Sequence, residues 1–269
     1  MFDERFREVE SLKDPLELLK QSTELLTYNH QLGMELARLR RQAVDEAIEV
    51  LGMSYSQIAQ EAGLSKGRIG QIRKSAPPAE RKLFGIGPVQ VAVPLREKND
   101  RAFHQVDLGD LKARENVAAL LKSLYLQHEE VYINPSDEWQ LQNETIAICG
   151  PKTSPVISEC LKQDKNVAFE ERSAGIWDLY IRNQETWATD SREFSDYGYL
   201  AKLPVTDGFA FIIAGIHSSG SIGVSKYLSE RVEEIFKTYG ELPFSMVIGA
   251  DVSDGEVLKS ATIYEGALN

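Results

Sequence analysis

Residues 55–74 read Tyr-Ser-Gln-Ile-Ala-Gln-Glu-Ala-Gly-Leu-Ser-Lys-Gly-Arg-Ile-Gly-Gln-Ile-Arg-Lys, and their spacing predicts two short helices joined by a tight turn. Ile58, Ala59 and Ala62 share one face of the first helix, with Ala59 small where the second helix crosses closely. Gly63 takes the left-handed conformation that ends a helix without a steric penalty, and Ser65 caps the next helix by accepting a backbone N–H. Leu64, Ile69 and Ile72 are the expected anchors of that second helix. Its remaining positions, Lys66, Gly67, Arg68, Gln71, Arg73 and Lys74, face outward. Together these features spell a helix-turn-helix whose second helix suits a major groove. The candidate DNA-contacting residues are Ser65, Lys66, Arg68, Gln71, Arg73 and Lys74. Lys66 and Arg68, with Gln71 behind them, are placed for base edges; Arg73, Lys74, Arg81 and Lys82 are placed for phosphates. The competing reading is a structural helical hairpin with a solvated basic face.

Charge supports the DNA reading. The net value is −4 over residues 1–35, +4 over 36–82 and −11 over 83–269, giving −11 for the chain. An acidic protein is repelled by DNA unless its positive charge is gathered in one module, as here. The acidic remainder is expected to stand off the duplex.

A chain of 269 residues, 42% hydrophobic and 26% charged, has the composition of a globular protein with two or three compact units. Its start, Met-Phe-Asp-Glu-Arg, is charged, and no apolar run approaches the roughly 20 residues needed to span a bilayer. Cys149 and Cys160 form neither a disulfide framework nor a paired metal motif, and the four histidines have no zinc spacing. A cytoplasmic protein with reduced thiols, no metal and no resident cofactor is expected, with no membrane partner.

Upstream of the turn, Asp14-Pro15 reads as an N-cap with proline in the first helical turn. Leu16, Leu18, Leu19, Leu25 and Leu26 mark a first helix, which the polar Tyr28-Asn29-His30 is expected to bend or interrupt. Leu32, Leu36, Leu39, Ala43, Ala47, Ile48 and Leu51 carry a second helix to Gly52. The leucine stripe suggests a homodimer or, equally, packing within one chain. Residues 1–76 are therefore expected to form a helical DNA-binding domain. Residues 77–88, with Pro77-Pro78 and Gly85-Ile86-Gly87-Pro88, read as a linker.

Residues 89–269 alternate strand and helix: strands at 89–95, 129–133, 145–149, 209–216 and 244–248, helices at 109–124, 155–163 and 224–239. This predicts a Rossmann-like α/β domain with a mostly parallel sheet covered on both faces. The section 166–208 is less regular, β-rich at 167–169 and 176–182, and reads as a hairpin or lid. Its Asp190, Asp196, Tyr197 and Tyr199 are placed for ribose or base contacts if it folds over a pocket.

Two loops after strands resemble ligand cradles. Gly150-Pro151-Lys152-Thr153-Ser154-Pro155 opens a helix and offers backbone N–H groups, a lysine and two hydroxyls to an anion. Gly215-Ile216-His217-Ser218-Ser219-Gly220-Ser221-Ile222-Gly223 follows the strongest strand. In an open parallel sheet such loops converge on one crevice, together with Arg96 and Asp251. The candidate ligand-binding residues are Arg96, Gly150, Lys152, Thr153, Ser154, Gly215, His217, Ser218, Ser219, Gly220 and Ser221. Alternatively, the glycines and serines of each loop only turn the chain and cap a helix. His217 fits a general acid or base, a ligand hydrogen bond or a tie within its loop, with binding favoured over catalysis. No Ser-His-Asp order or Cys-His pair assigns a catalytic residue.

Asp14-Pro15 with Leu25-Leu26, the run 35–41 (Glu-Leu-Ala-Arg-Leu-Arg-Arg), Ser56-Gln57-Ile58-Ala59 and the run 67–73 (Gly-Arg-Ile-Gly-Gln-Ile-Arg) resemble the actinobacterial sigma-factor-like helix-turn-helix regulators, over roughly residues 14–74. Only 55–74 is similar to the promoter-reading part of a sigma factor, so the resemblance implies a regulator. Runs 84–88, 148–155, 197–204 and 214–223 look like a module attached to such regulators, similar in outline to Rossmann-like nucleotide-sensing domains. Where that family carries Ser-Pro-Met-Asp, this chain has Trp187-Ala188-Thr189-Asp190.

The expectation is a dimeric transcriptional regulator that binds double-stranded DNA and senses a small anionic, nucleotide-like effector. Two other readings stay open: a nucleotide-processing enzyme, by hydrolysis or glycosyl transfer, with a DNA-binding module, and a protein-interaction scaffold.

Overall fold

The computed structural model describes residues 2–97, 104–135 and 139–268. It has two compact units, one made of Met1–Arg81, Ile86–Pro88 and Leu124–Gln127 and the other of Lys82–Gly85, Val89–Ser123 and His128–Asn269. The stretch expected to be a plain linker is thus divided between both.

The first unit begins with α1 (Phe2–Glu10) and α2 (Pro15–Glu49). Asp14 accepts the N–H groups of Leu16 and Glu17 at 2.8 and 2.9 Å, with Pro15 in the first turn. α2 then runs unbroken for 35 residues, about 50 Å. Tyr28-Asn29-His30 does not interrupt it, because none of these is Gly or Pro and each costs only tenths of a kcal/mol in a helix interior, roughly 0.7 at most.

α3 (Tyr55–Glu61) and α4 (Lys66–Ser75) follow. Ser54 and Gln57 form a reciprocal capping box on α3. Gly63, at φ +63°, closes α3: Leu64 N–H donates to Ala59 O at 2.8 Å and Gly63 N–H to Gln60 O at 3.3 Å, the pairing of a Schellman motif. Ser65 caps α4 by accepting the Arg68 N–H. Ile58, Ala59, Ile69 and Ile72 pack with Val44 of α2. Ala62 and Leu64, expected among the anchors, are exposed, because both ride in the surface turn.

Arg81, read as a phosphate contact, is fully buried. Its guanidinium donates to the carbonyls of Leu124 (3.2 Å), Tyr125 (2.5 Å), Ile86 (2.8 Å) and Gln31 (3.3 Å) and to Gln31 Oε1 (3.0 Å). Glu35 lies 3.7 Å away. Arg38, also buried, forks onto Glu35 at 2.7–3.0 Å and reaches Gln42 at 2.9 Å. These buried cations persist because acceptors surround them.

The second unit holds β1 (Val89–Pro94), α5 (Leu108–Ser123), β2 (His128–Ile133), β3 (Thr145–Ile148), α6 (Pro155–Leu161), β4 (Val167–Ser173), β5 (Ile176–Ile181), β6 (Thr186–Trp187), β7 (Asp196–Val205), β8 (Gly208–Gly215), α7 (Ser218–Tyr239), β9 (Phe244–Ser253) and β10 (Glu256–Ala267). The main sheet has the order β10-β9-β7-β8-β3-β1-β2, and β4-β5-β6 form a small antiparallel sheet. From β2 to β8 neighbours are parallel; β7, β9 and β10 join antiparallel, so five of the seven strands run one way. α5 and α7 pack together on one face. On the other, Ala92, Ala147, Tyr199, Ile212 and Val247 meet Ile157 and Leu161 of α6 and Val167, Leu179 and Ile181 of the small sheet.

Two strands depart from the sequence reading. β7, placed in the irregular section, is buried at nearly every position and is an interior strand, third from the β10 edge. β10 extends the far edge. Each belongs to a hairpin with a two-residue loop: Thr206-Asp207 between β7 and β8, and Asp254-Gly255 between β9 and β10, with φ of 52° and 78° at its two residues, the backbone that suits the twist of paired strands. Among the described residues no helix is long and apolar enough to cross a membrane.

Candidate functional site

The chain leaves β1 through α5 to β2 on one side and reaches β3 on the other. The crevice at the carboxyl ends of β1 and β3 is therefore the topological switch point, where open α/β sheets bind ligands. A cavity of about 360 Å³ opens there. Pro94 and Arg96 line it at and after the end of β1, Cys149 to Thr153 after β3, and Gly215 to Ser218 with Ser221 at and after the end of β8. Phe169 of the small sheet closes one side, and Asp110 of α5 another.

Of the predicted ligand-binding residues, Arg96, Gly150, Lys152, Thr153, Gly215, His217, Ser218 and Ser221 line this one space. Ser154, Ser219 and Gly220 do not. Ser154 is buried and caps α6 through the Ile157 N–H at 3.4 Å. Ser219 Oγ and Gly220 N–H donate to Asp196 Oδ2 at 2.5 and 2.6 Å.

Asp196 changes how the second loop is read. Its buried carboxylate accepts these two donors and the Tyr197 N–H, and so occupies the positive end of α7 from within the protein. The first loop also turns inward: the N–H groups of Thr153 and Ser154 donate to Gly150 O at 3.1 and 3.3 Å. α6 has only seven residues. Recognition of an anion therefore falls to side chains rather than to two backbone cradles.

Those side chains are unequal. Arg96 is held by Asp110 at 2.9 Å and faces Asp107 at 3.6 Å. Burial pushes the Asp110 carboxyl up, against the pull of Arg96. Lys152 has no carboxylate partner among the described residues; its ammonium lies 5.9 Å from the centre of the Trp177 ring, within cation–π range. His217 Nδ1 lies 3.2 Å from Asp196 Oδ1 while its side chain stays 75% exposed at the cavity. With Nδ1–H donated to Asp196, Nε2 is the acceptor left toward the space. Burial drives the Cys149 thiol to about 12, which leaves it protonated and inert.

The other residues proposed for ribose or base contact are engaged elsewhere. Tyr199 donates to buried Asp164 at 2.8 Å, Tyr197 shares a hydrogen with Ser191 at 2.6 Å, and Asp190 pairs with Arg172 at 2.8 Å. Asp251 accepts the Ser195 N–H.

On α4, Ser65, Lys66, Arg68, Gln71 and Lys74 are exposed, opposite buried Ile69 and Ile72. Arg68 Nη1 lies 3.2 Å from Gln71 Oε1. Arg73 differs from the expectation. It donates to Asp45 at 2.5 Å and Tyr55 at 2.6 Å, tying α2, α3 and α4 together, and both contacts raise its pKa. Lys82 pairs with Glu241. Arg40 of α2 shares a shallow recess with Arg68, a proximity no local motif announces.

Among the described residues no cluster of His, Cys, Asp and Glu fits a metal. Comparison with family models, curated proteins and solved structures yields no match.

Proposed function

We propose that the chain is a cytoplasmic DNA-binding transcriptional regulator whose α/β unit senses a small anionic, nucleotide-like effector. The observation that carries the reading is α4: a capped ten-residue helix with isoleucines buried on one side and Lys66, Arg68, Gln71 and Lys74 displayed on the other. As a helix-turn-helix, α3 supports α4 while Lys66 and Arg68 read base edges and Lys74 grips phosphate. Arg73 supports the reader by positioning it. Exposed leucines on α2, including Leu16 at 77% and Leu26 at 70%, favour a homodimer, whose operator would be a palindrome with half-sites about 34 Å or a multiple apart. Selection from a random duplex pool tests the reader; recovery of no enriched sequence would remove it.

In the effector cavity, Lys152 and the His217 edge supply positive charge and a hydrogen bond, Ser218 a hydroxyl, and Phe169 an aromatic wall. An effector moves DNA affinity only through its differential affinity for two arrangements of the protein. A second reading, a nucleotide-processing enzyme, is favoured by the oriented Asp196–His217 pair, which leaves a basic nitrogen at the cavity. Thermal denaturation against nucleotides and phosphorylated metabolites, with mass spectrometry of each mixture, separates the two. A stabilising compound recovered intact, with the shift lost in Lys152→Ala, supports the sensor. Consumption that stops in His217→Ala and Asp196→Asn supports the enzyme.

A further inference from the structure

At the opposite, amino ends of β1, β3 and β8 lies a second cavity, of about 190 Å³. Lys202 of β7 lines it and is only 3% exposed. Its ammonium lies 4.9 Å from the centre of the Phe209 ring, and no carboxylate pairs with it among the described residues. Glu241, a carboxylate at the cavity, is taken by Lys82 in a close ion pair. Thr145, 1% exposed, lines the same space, and its hydroxyl has no hydrogen-bond partner. Phe84, Phe209 and Phe211 form apolar walls, with the rings of Phe84 and Phe211 4.8 Å apart.

A buried cation with no carboxylate at ion-pair distance and a buried hydroxyl without a partner each cost free energy, which natural cores rarely carry without a compensating group. One ligand resolves both. We propose that this cavity is a binding site for a small aromatic monocarboxylate, whose carboxylate meets the Lys202 ammonium and the Thr145 hydroxyl and whose ring lies among Phe84, Phe209 and Phe211. The Lys202 ammonium calls for one carboxylate, since Lys82 and Glu241 at the same lining are already joined in an ion pair. At about 190 Å³ the space is small beside ligand pockets of roughly 300–1,000 Å³, which suits a single ring better than a nucleotide. The site is independent of the cavity at the switch point.

Burial lowers the Lys202 pKa to about 8, against the pull of the Glu241 charge and with the push of Lys82. A bound carboxylate favours the charged amine, so affinity is full below that value and falls as pH rises through it; Lys82, Glu144 and Glu241 are the other charged side chains facing the cavity.

The test uses the full chain and benzoate as probe. Isothermal titration at pH 7 should show saturable binding, weakened at least tenfold in Lys202→Met and with benzamide in place of benzoate, and weakened less in Thr145→Val. In wild-type protein with ¹³C-labelled lysine, benzoate should raise the midpoint at which the Lys202 ε-carbon titrates, a readout that needs no variant. No saturable binding, equal affinity in Lys202→Met, or an unmoved Lys202 midpoint would each overturn the proposal.

Discussion

Two sets of cations in the helical unit have opposite fates. Arg38, Arg73 and Arg81 are turned inward and held by Glu35, Asp45, Tyr55 and backbone carbonyls; Lys66, Arg68 and Lys74 are turned outward on α4. Residue type does not distinguish the sets, since each contains an arginine within ten residues of the turn glycine. What distinguishes them is an internal acceptor. A guanidinium that finds several acceptors at hydrogen-bond distance becomes part of the fold, and one that finds only a neighbouring amide remains available to a phosphate or a base. A positive stretch of sequence thus overstates the charge available to DNA.

The sharpest way to break this division is Arg81→Met. Removing the guanidinium leaves the carbonyls of Gln31, Ile86, Leu124 and Tyr125 without this donor, and stability should fall by about 3–5 kcal/mol, read as a lower denaturation midpoint in urea. A loss under 1 kcal/mol would mean that Arg81 belongs with the outward set. Arg68→Ala should do the reverse. Stability should stay within about 0.5 kcal/mol, while affinity for a selected duplex should fall by about 1–3 kcal/mol.

Gly63→Ala sharpens the comparison by separating the turn from the proposed reader. No atom lies within 4 Å of a Cβ built there, so the cost is that of φ +63° alone, about 1–2 kcal/mol. Base preference should not change. The smallest effect belongs to Lys74→Ala, which should lower the slope of log affinity against log salt by about 1 and leave sequence preference intact.

The contrast also shows how far the sequence could be read. The cap at Ser65, the glycine stop at 63, the buried isoleucines and the parallel half of the α/β sheet were legible, because local spacing and turn chemistry specify them. So was the gathering of Arg96, Lys152 and His217 at one crevice, which follows from strand polarity. The fate of Arg73 and Arg81 was not, since their acceptors lie 28 and up to 50 residues away in the chain. Nor was the role of Asp196, whose carboxylate fills the start of a helix 22 residues further on. β7 and β10 were missed for a different reason. Asp254-Gly255 before β10 is a strong hairpin signal, and Asp207-Gly208 marks the end of the β7–β8 loop, but a strand–helix rhythm drew attention away from antiparallel pairing.

The most direct test of the account is fluorescence anisotropy of the protein on a duplex enriched from a random pool, compared between wild type and Lys66→Ala/Arg68→Ala at two salt concentrations. The account predicts that the double variant, folded and as stable as wild type, loses its preference for the enriched duplex over a scrambled one while retaining weak, salt-sensitive binding to both. Undiminished preference in that variant would contradict it.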